Sequence, residues 1–210
     1  MGTLASHSGC GTLGRRFFMR GAACAAIAPA LSLLSGPANA AANWRGLVGC
    51  IKPRANDSSL VEMIRLLPVG IGVVPVYLNL TEGNREEFQN SYTNYEKNIA
   101  YLASQHCDTI SIEGAPPFML LGPAGEAKMV DGWKQKYKTD MFTSSQNQVN
   151  AFRALKVKKI LGITSGSGGP EMNKVYAKYF EDNGIGVVAM EGMGVEFKSI
   201  PDVQIGRAHV

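Results

Sequence analysis

Residues 159–190, KILGITSGSGGPEMNKVYAKYFEDNGIGVVAM, contain the pattern from which the architecture can be worked out. The apolar run 159–164 predicts a strand that enters a glycine-rich turn, and residues 170–182 predict a helix that ends at Asn183–Gly184. Five apolar side chains recur at helical steps of three and four residues and form the inner face of this helix: Met172, Val175, Tyr176, Tyr179 and Phe180. A further strand begins at Val187, so the segment predicts two parallel strands joined by a crossover helix.

The same alternation of strands and helices extends towards the N-terminus. Three further apolar runs predict strands: Leu47–Ile51, Ile71–Leu78 and Thr109–Ile112. Four further segments predict helices: 58–67, 86–105, 124–137 and 146–155. Asp57 is expected to cap the first of these helices. Pro75 places its strand at a sheet edge, because proline donates no ladder hydrogen bond, and Glu113–Pro117 is expected to break the chain after the third strand.

The spacing of apolar residues also predicts which helix faces are buried. Residues 86–105 predict one long helix, because a single apolar stripe runs along them at steps of four and three. The members of this stripe are Phe88, Tyr92, Tyr95, Ile99 and Leu102. In the helix at 146–155, the predicted inward side chains are Val149, Phe152 and Leu155.

Strands separated by helices predict an α/β protein with parallel sheets flanked by helices. The composition, with 45% hydrophobic and 18% charged residues, is that of a globular protein. The pattern divides into two similar lobes, a first α/β lobe at residues 44–142 and a partial second α/β lobe at 143–204. A sheet whose last strand begins near Val187 should continue further, so the second lobe is predicted to be incomplete.

Both ends of the chain contain segments that we interpret as lying outside this fold. Residues 1–40 combine the pair Arg15–Arg16, a short Ala-rich apolar region and the cleavage site Ala38–Ala40. They predict a twin-arginine-type signal peptide and export to the bacterial periplasm; the alternative is an N-terminus assigned too early. Residues 205–210 resemble the translation of a sequencing adapter, which predicts a C-terminally truncated chain; the alternative is a genuine C-terminus.

Charge and residue types exclude several classes of function. The net charge of +4 comes largely from three arginines before residue 41, so no nucleic-acid partner is expected. No apolar run reaches the roughly 18 residues of a membrane span, so no integral membrane segment is expected after removal of the signal. His7, His106 and His209 are far apart, so no metal site is expected. Cys50 and Cys107 remain after signal removal, either as a disulfide or as buried reduced thiols.

Three strand ends are candidates for a ligand site, because parallel α/β sheets bind ligands at the carboxyl ends of their strands. The predicted substrate-binding residues lie at these ends: Pro53, Gly114, Ala115, Pro116, Thr164, Ser165, Gly166 and Ser167. Glycine lets a ligand approach the backbone closely, and the amides of two facing turns can hold a carboxylate or an enolate oxygen. The alternative interpretation of residues 165–169 is a plain glycine-rich turn between a strand and a helix.

Two side chains near the strand ends are candidates for proton transfer. Cys50, near the end of the first strand, can act as a thiol nucleophile or acid, or can be a small core residue. Glu113, beside Gly114, can act as a base, or can be an outward-facing carboxylate at the end of a strand. The residues themselves leave both pairs of alternatives open.

Three segments of the second half of the chain carry a resemblance to a known family. They are CDTISIEGAPPF at 107–118, SSQNQVNAFRALKVKKILGITSG at 144–166 and EMNKVYAKYFEDNGIGVVAMEGM at 171–193. These segments resemble the aspartate/glutamate racemase superfamily and, within it, the arylmalonate decarboxylases and the maleate isomerases. The first strand, which ends at Lys52–Pro53, is similar to the start of that family.

The resemblance implies two lobes with the site between them and catalysis without a cofactor. Most members use one thiol per lobe to move a proton at the carbon next to a carboxylate. The arylmalonate decarboxylases have glycine in place of the first thiol, and Gly114 matches that glycine; the second thiol is expected beyond Val210. The sequence departs from their pattern at Ala115–Pro116, where they have Thr–Ser, and at Gly166, where they have Tyr, with Ser165 and Ser167 as substitutes.

The resemblance therefore predicts a cofactor-independent lyase or isomerase/racemase that acts next to a carboxylate, closest to the arylmalonate decarboxylases. The expected ligand is a small carboxylate. This chain is expected to be inactive because the thiol that delivers the proton lies beyond Val210, and Cys50 is the weaker candidate for that role. One alternative is an exported, two-lobed binding protein for a small carboxylate, and another is a structural or regulatory relic of the fold.

Overall fold

The structure of the chain is a computed structural model, and it describes residues 43–55 and 59–202. The predicted helix cap at Asp57, the signal peptide at 1–40 and the adapter-derived tail at 205–210 lie outside these residues. Within them, parallel strands alternate with helices, so the predicted α/β class is confirmed. No helix in the described ranges has the length and apolar character that crossing a membrane requires.

Four parallel strands form the first sheet, in the order β2–β1–β3–β4. Their bounds are β1 Gly46–Lys52, β2 Ile71–Tyr77, β3 Thr109–Ile112 and β4 Asp140–Thr143. Strand β2 lies at an edge, as Pro75 predicts, and β4 is a four-residue strand that the sequence pattern did not predict. In the centre, Cys50 lies opposite Pro75 on one side and Ser111 on the other.

Five helices accompany this sheet: α1 Ser59–Leu66, α2 Arg85–Asn90, α3 Tyr92–Ser104, α4 Ala115–Met119 and α5 Gly122–Tyr137. The prediction of one long helix over 86–105 is wrong, because the helix is interrupted at Ser91. The Ser91 hydroxyl donates to the carbonyl oxygen of Phe88 at 2.7 Å, and the Ser91 amide donates to the same oxygen at 3.3 Å. Such local bonds of serine compete with the regular helical ladder.

The interruption at Ser91 separates the predicted apolar stripe into two clusters. Tyr95, Ile99 and Leu102 of α3 pack with side chains of α5 against one face of the four-stranded sheet, where the buried strand residues include Ile51, Ile110 and Ile112. Phe88 of α2 instead joins a second cluster, together with residues of α4 and of the later helices. The expected break at Glu113–Pro117 is only partly correct, since helix α4 already begins at Ala115.

The second sheet has two parallel strands, β5 Lys159–Thr164 and β6 Gly186–Gly192, joined by α7 Gly169–Asp182. It follows α6 Ser144–Ala154 and precedes a short 3-10 helix, Phe197–Asp202. The buried face of α7 carries Met172, Tyr176, Tyr179 and Phe180, as predicted. The prediction that Leu155 points inward is wrong. Leu155 follows the end of α6 and is 74% exposed, because a helix buries only the side chains on its inner face.

Candidate functional site

β1 and β3 are neighbours in the centre of the first sheet. At their carboxyl ends the chain turns towards opposite edges of that sheet. From β1 the chain continues to β2 on one side, and from β3 it continues to β4 on the other. In open α/β sheets such a reversal of strand order leaves a crevice in which ligands bind. Lys52 is the last residue of β1, and Glu113 directly follows β3, so both residues lie at this reversal of strand order.

A cluster of polar side chains occupies this position. The Lys52 ammonium lies 2.5 Å from Oε2 of Glu113, and it also donates to the Ser59 hydroxyl at the start of α1. The Cys50 thiol donates to Oε1 of Glu113 at 3.2 Å. Cys50 and Lys52 are two residues apart on β1 and therefore project from the same face, opposite to Ile51. Both are fully buried, whereas 22% of the Glu113 side chain is exposed.

Gly114 adopts a backbone conformation that requires glycine. Its φ is +94°, in the left-handed region that other residues avoid. A Cβ at this position would lie 2.6 Å from the Tyr95 hydroxyl and 3.8 Å from Cβ of Pro53. The space beside Gly114 is thus occupied by the tyrosine hydroxyl, which donates to the carbonyl oxygen of Glu113 at 2.9 Å. Burial raises the pKa of Tyr95, and the charges of Tyr92 and Glu113 raise it further.

A cavity of about 500 Å³ connects two of the predicted turns. Ala115 and Pro116 line it from the first turn, and Thr164 and Ser165 line it from the end of β5. Most of its remaining lining is apolar and includes Met119, Phe152, Ile160 and Tyr176. The structure therefore brings four of the eight predicted binding residues to a single cavity, with Gly114 as the neighbour of Ala115.

The glycine-rich turn after β5 is held together largely by its own hydrogen bonds. The amide of Gly166 donates to the Thr164 hydroxyl at 3.1 Å, that of Ser167 to the Ser165 hydroxyl at 3.4 Å, and that of Gly169 to the carbonyl oxygen of Gly166 at 3.0 Å. These three amides do not need an anion as a partner. The hydroxyls of Ser165 and Ser167 lie 3.0 Å apart.

Close packing explains one glycine of this turn. A Cβ on Gly166 would lie 2.9 Å from the backbone nitrogen of Gly194, so this position must be glycine whether or not a ligand binds. Gly166 and Ser167 border a separate cavity of about 420 Å³ that Thr81 and Phe197 also line. Six of the eight predicted binding residues are thus divided between two cavities, and Pro53 and Gly114 line neither of them.

The thiols of the described chain are buried and are not bonded to each other. Cys50 and Cys107 do not form a disulfide with each other. Burial raises the pKa of Cys107, and the adjacent charge of Asp108 adds to this effect. Neither residue lines the cavity between the turns. Among the described residues, no group of three or more His, Cys, Asp or Glu side chains is arranged to hold a metal ion.

Lys52 is the residue of this site that the sequence analysis missed. It directly follows the apolar run of the first strand, and the sequence pattern predicts it only as the end of that strand. Only the parallel register, which places Ile51 opposite Ile112, brings the ammonium group next to Glu113. A lysine that continues the alternation of an apolar strand is the signal that could have identified it.

Comparison with solved structures identifies the fold. No protein-family model and no curated protein sequence matches the chain. Arylmalonate decarboxylase, as a liganded double mutant, superposes with a TM-score of 0.62 at 18% identity, over 70% of this chain and 61% of that chain. Maleate isomerase from Pseudomonas putida S16, solved with maleate, superposes with a TM-score of 0.65 at 15% identity, over 72% and 64%. The chain shares the fold of arylmalonate decarboxylase and maleate isomerase.

A further isomerase structure shows the same relationship. A mutant of Nocardia farcinica maleate cis–trans isomerase with a covalently bound succinylcysteine intermediate superposes with a TM-score of 0.66 at 13% identity, over 76% of this chain and 68% of that chain. The chain thus spans between 61 and 68% of the length of these three structures. At these identities the likeness establishes the fold.

Proposed function

We propose that the chain is the carboxylate-binding part of a cofactor-independent lyase or isomerase that acts at the carbon next to a carboxylate, similar in kind to arylmalonate decarboxylase. The observation that carries this proposal is the cavity of about 500 Å³ where Ala115–Pro116 meets Thr164–Ser165. It lies at strand ends of a fold shared with enzymes named for malonate and maleate substrates. Its volume suits a small organic acid.

The chemistry of this class needs two things from the protein. Negative charge that develops on the carboxylate oxygens must be stabilised, and an acid or base must reach the neighbouring carbon. The described residues that line the cavity supply the hydroxyls of Thr164, Ser165 and Tyr176 but no thiol. The resemblance to the racemase superfamily implies a thiol beyond Val210. We therefore propose that the 210-residue chain binds its ligand without turning it over.

Binding and turnover can be tested separately on the same protein. Maleate and phenylmalonate are titrated into the 210-residue chain by calorimetry, and each mixture in D₂O is followed by proton NMR for isomerisation, decarboxylation or deuterium uptake. The proposal expects binding of at least one acid and no turnover. Binding of neither acid would contradict the carboxylate site, and turnover would contradict the requirement for a thiol outside the chain.

A binding protein for a small carboxylate is the second candidate function. It is favoured by Gly114, which stands where most superfamily members are expected to have a thiol, and by the burial of Cys50 and Cys107. A longer version of the protein decides between the two candidates. If it contains a Cys–Gly turn after Val210 and converts phenylmalonate or maleate, the enzyme is supported; binding alone supports the second candidate.

We also propose that residues 1–40 direct twin-arginine export to the periplasm of a bacterium. Support comes from the Arg15–Arg16 pair and from the small residues at Ala38–Ala40. Replacing both arginines with lysine should leave unprocessed protein in the cytoplasm, detected by cell fractionation and mass spectrometry. Processing near Ala40 in the double variant would contradict this route.

A further inference from the structure

Tyr176 is a buried tyrosine of helix α7 whose hydroxyl has no hydrogen-bond partner among the described residues. The residue is 8% exposed, and its side chain lines the cavity of about 500 Å³. In the described part of the chain, a fully buried side-chain oxygen without a partner occurs only at Ser144. The Tyr176 hydroxyl is therefore not fully buried, and it is accessible from the cavity that this residue lines.

The other buried tyrosines of the described chain use their hydroxyls inside the protein. Tyr95 donates to the carbonyl oxygen of Glu113 at 2.9 Å, and Tyr179 donates to Oε2 of Glu126. Buried phenols usually have such a partner, because a hydroxyl that is removed from water without one costs free energy. Tyr176 differs from both, so its hydroxyl is the one that a bound ligand can satisfy.

The remaining hydroxyls on the cavity wall are engaged in the turn after β5. The Thr164 hydroxyl donates to Oδ1 of Asn173 at 2.9 Å. The Ser165 hydroxyl forms a hydrogen bond of 3.0 Å with that of Ser167. A further polar side chain of the lining, the Gln148 amide, is exposed, so water competes for its hydrogen bonds. These groups are weaker candidates than Tyr176 for binding a ligand.

No charged side chain within residues 43–55 and 59–202 lines this cavity. A carboxylate that enters it must therefore be bound by neutral donors. The apolar part of the lining includes Met119, Phe152, Phe180 and Met190. In such surroundings a hydrogen bond to an ionised group is stronger than in water. Burial raises the pKa of Tyr176 to about 12, so the phenol remains protonated and keeps its donor at neutral pH.

We propose that Tyr176 is the donor that binds a carboxylate oxygen of the ligand in this cavity. This inference rests on the proposed function, because it assigns a residue to the same carboxylate site. The phenol gains a partner when the ligand binds, and the carboxylate gains a donor where no cation lines the described wall. Because the hydroxyl bonds to no described residue, it contributes to affinity for the ligand and not to folding.

Two tyrosines of the same helix provide a matched comparison. Tyr176→Phe removes the hydroxyl at the cavity, whereas Tyr179→Phe removes one that donates to Glu126. Phenylmalonate and maleate are each titrated into both variants by calorimetry, and urea unfolding at pH 7 measures stability. We expect Tyr176→Phe to bind the acid that the wild type binds about tenfold more weakly, with unchanged stability. Tyr179→Phe should show the reverse pattern, with wild-type affinity and lower stability.

A third variant ranks the donors of the cavity. Ser165→Ala should weaken binding less than Tyr176→Phe does, because the Ser165 hydroxyl already bonds to Ser167. Wild-type affinity of Tyr176→Phe for both acids, or a larger loss in Ser165→Ala, would overturn the inference and leave the proposed function standing. Failure of Tyr176→Phe to fold, seen by circular dichroism, would overturn it too, since the hydroxyl would then be needed for folding. If the wild type binds neither acid, the inference and the proposed function are both overturned.

Discussion

At the scale of single residues, position 114 requires glycine for a reason that the sequence analysis did not give. The sequence predicted glycine as space for a ligand beside the backbone, but the structure fills that space with the Tyr95 hydroxyl. The requirement for glycine comes from the left-handed φ of +94° and from this hydroxyl. Neither follows from the sequence around residue 114, because Tyr95 lies on a different helix.

Gly114→Ala is expected to lower the free energy of unfolding by about 1 to 3 kcal/mol, because alanine is strained at this φ and its Cβ meets the Tyr95 hydroxyl. Tyr95→Phe removes that hydroxyl and should cancel part of the cost. Urea unfolding of the two single variants and the double variant measures the coupling. Strict additivity of the two changes would show that the hydroxyl contact is unimportant.

At the scale of secondary-structure elements, the sequence is informative wherever one helix or strand buries one face. The helix at 169–182 and the strands at 159–164 and 186–192 were predicted within one or two residues, because their apolar spacing is regular. The break at Ser91 was missed because a serine hydroxyl that bonds to the carbonyl of Phe88 leaves the apolar spacing unchanged. Strand β4 was missed because four residues are too few to show a period.

A buried carboxylate joins one strand and three helices through contacts that the spacing of apolar residues does not reveal. Glu126 of α5 is 1% exposed and accepts hydrogen bonds from the hydroxyls of Thr143, Ser145 and Tyr179. Thr143 also forms a capping box with Gln146 at the start of α6. Helix α7, which belongs to the second sheet, is thereby attached to helices of the first.

Tyr179→Phe should therefore destabilise the protein by about 1 to 3 kcal/mol, because Glu126 loses one of its donors inside the protein. Tyr101→Phe is a suitable control, since Tyr101 is 49% exposed. Its unfolding curve in urea should match that of the wild type. Equal stability of the two variants would contradict a supporting role for the Glu126 cluster.

Tyr176 on helix α7 is expected to make the folded protein less stable at alkaline pH. Burial raises the pKa of Tyr176 to about 12 in the folded protein, whereas an unfolded tyrosine ionises near a pKa of about 10. The folded state thus favours the protonated phenol. The resulting contribution of Tyr176 to the free energy of unfolding is complete below pH 10 and is lost as the pH rises through 12. Tyr176→Phe should make the decline between pH 10 and 12 shallower by about 2 kcal/mol. Denaturant unfolding at several pH values measures this decline in the free energy of unfolding. An identical decline in the variant and the wild type would contradict the raised pKa of Tyr176.

At the scale of the whole molecule, the predicted α/β architecture is confirmed, and the meeting of two distant turns at one cavity agrees with the rule that ligands bind at strand ends. The ion pair of Lys52 and Glu113 was not predicted, because 61 residues separate its partners and only the β1–β3 register brings them together. Apolar spacing predicts which face of an element is buried. It does not predict which polar groups meet at its end.

The two sheets should differ in their resistance to opening. Strand β1 is paired on both sides and contains the fully buried Cys50, Ile51 and Lys52, whereas β5 is paired only with β6 in the described part of the chain. The outer face of the smaller sheet leaves Leu161, Ile163 and Val188 more than 60% exposed. Amides exchange through local openings, whose free energy falls where few apolar contacts must be broken.

Hydrogen–deuterium exchange followed by mass spectrometry should therefore find the slowest amides in peptides that contain β1 and β3, and faster exchange in peptides that contain β5 and β6. Ile110→Ala, in the fully buried centre of the first sheet, should cost about 2 to 5 kcal/mol and accelerate exchange throughout the chain. Leu161→Ala should change global stability by less than about 0.5 kcal/mol, because 63% of that side chain is already in water. Equal protection of both sheets would mean that β5 and β6 are covered by groups outside the described residues, and a large effect of Leu161→Ala would point to the same conclusion.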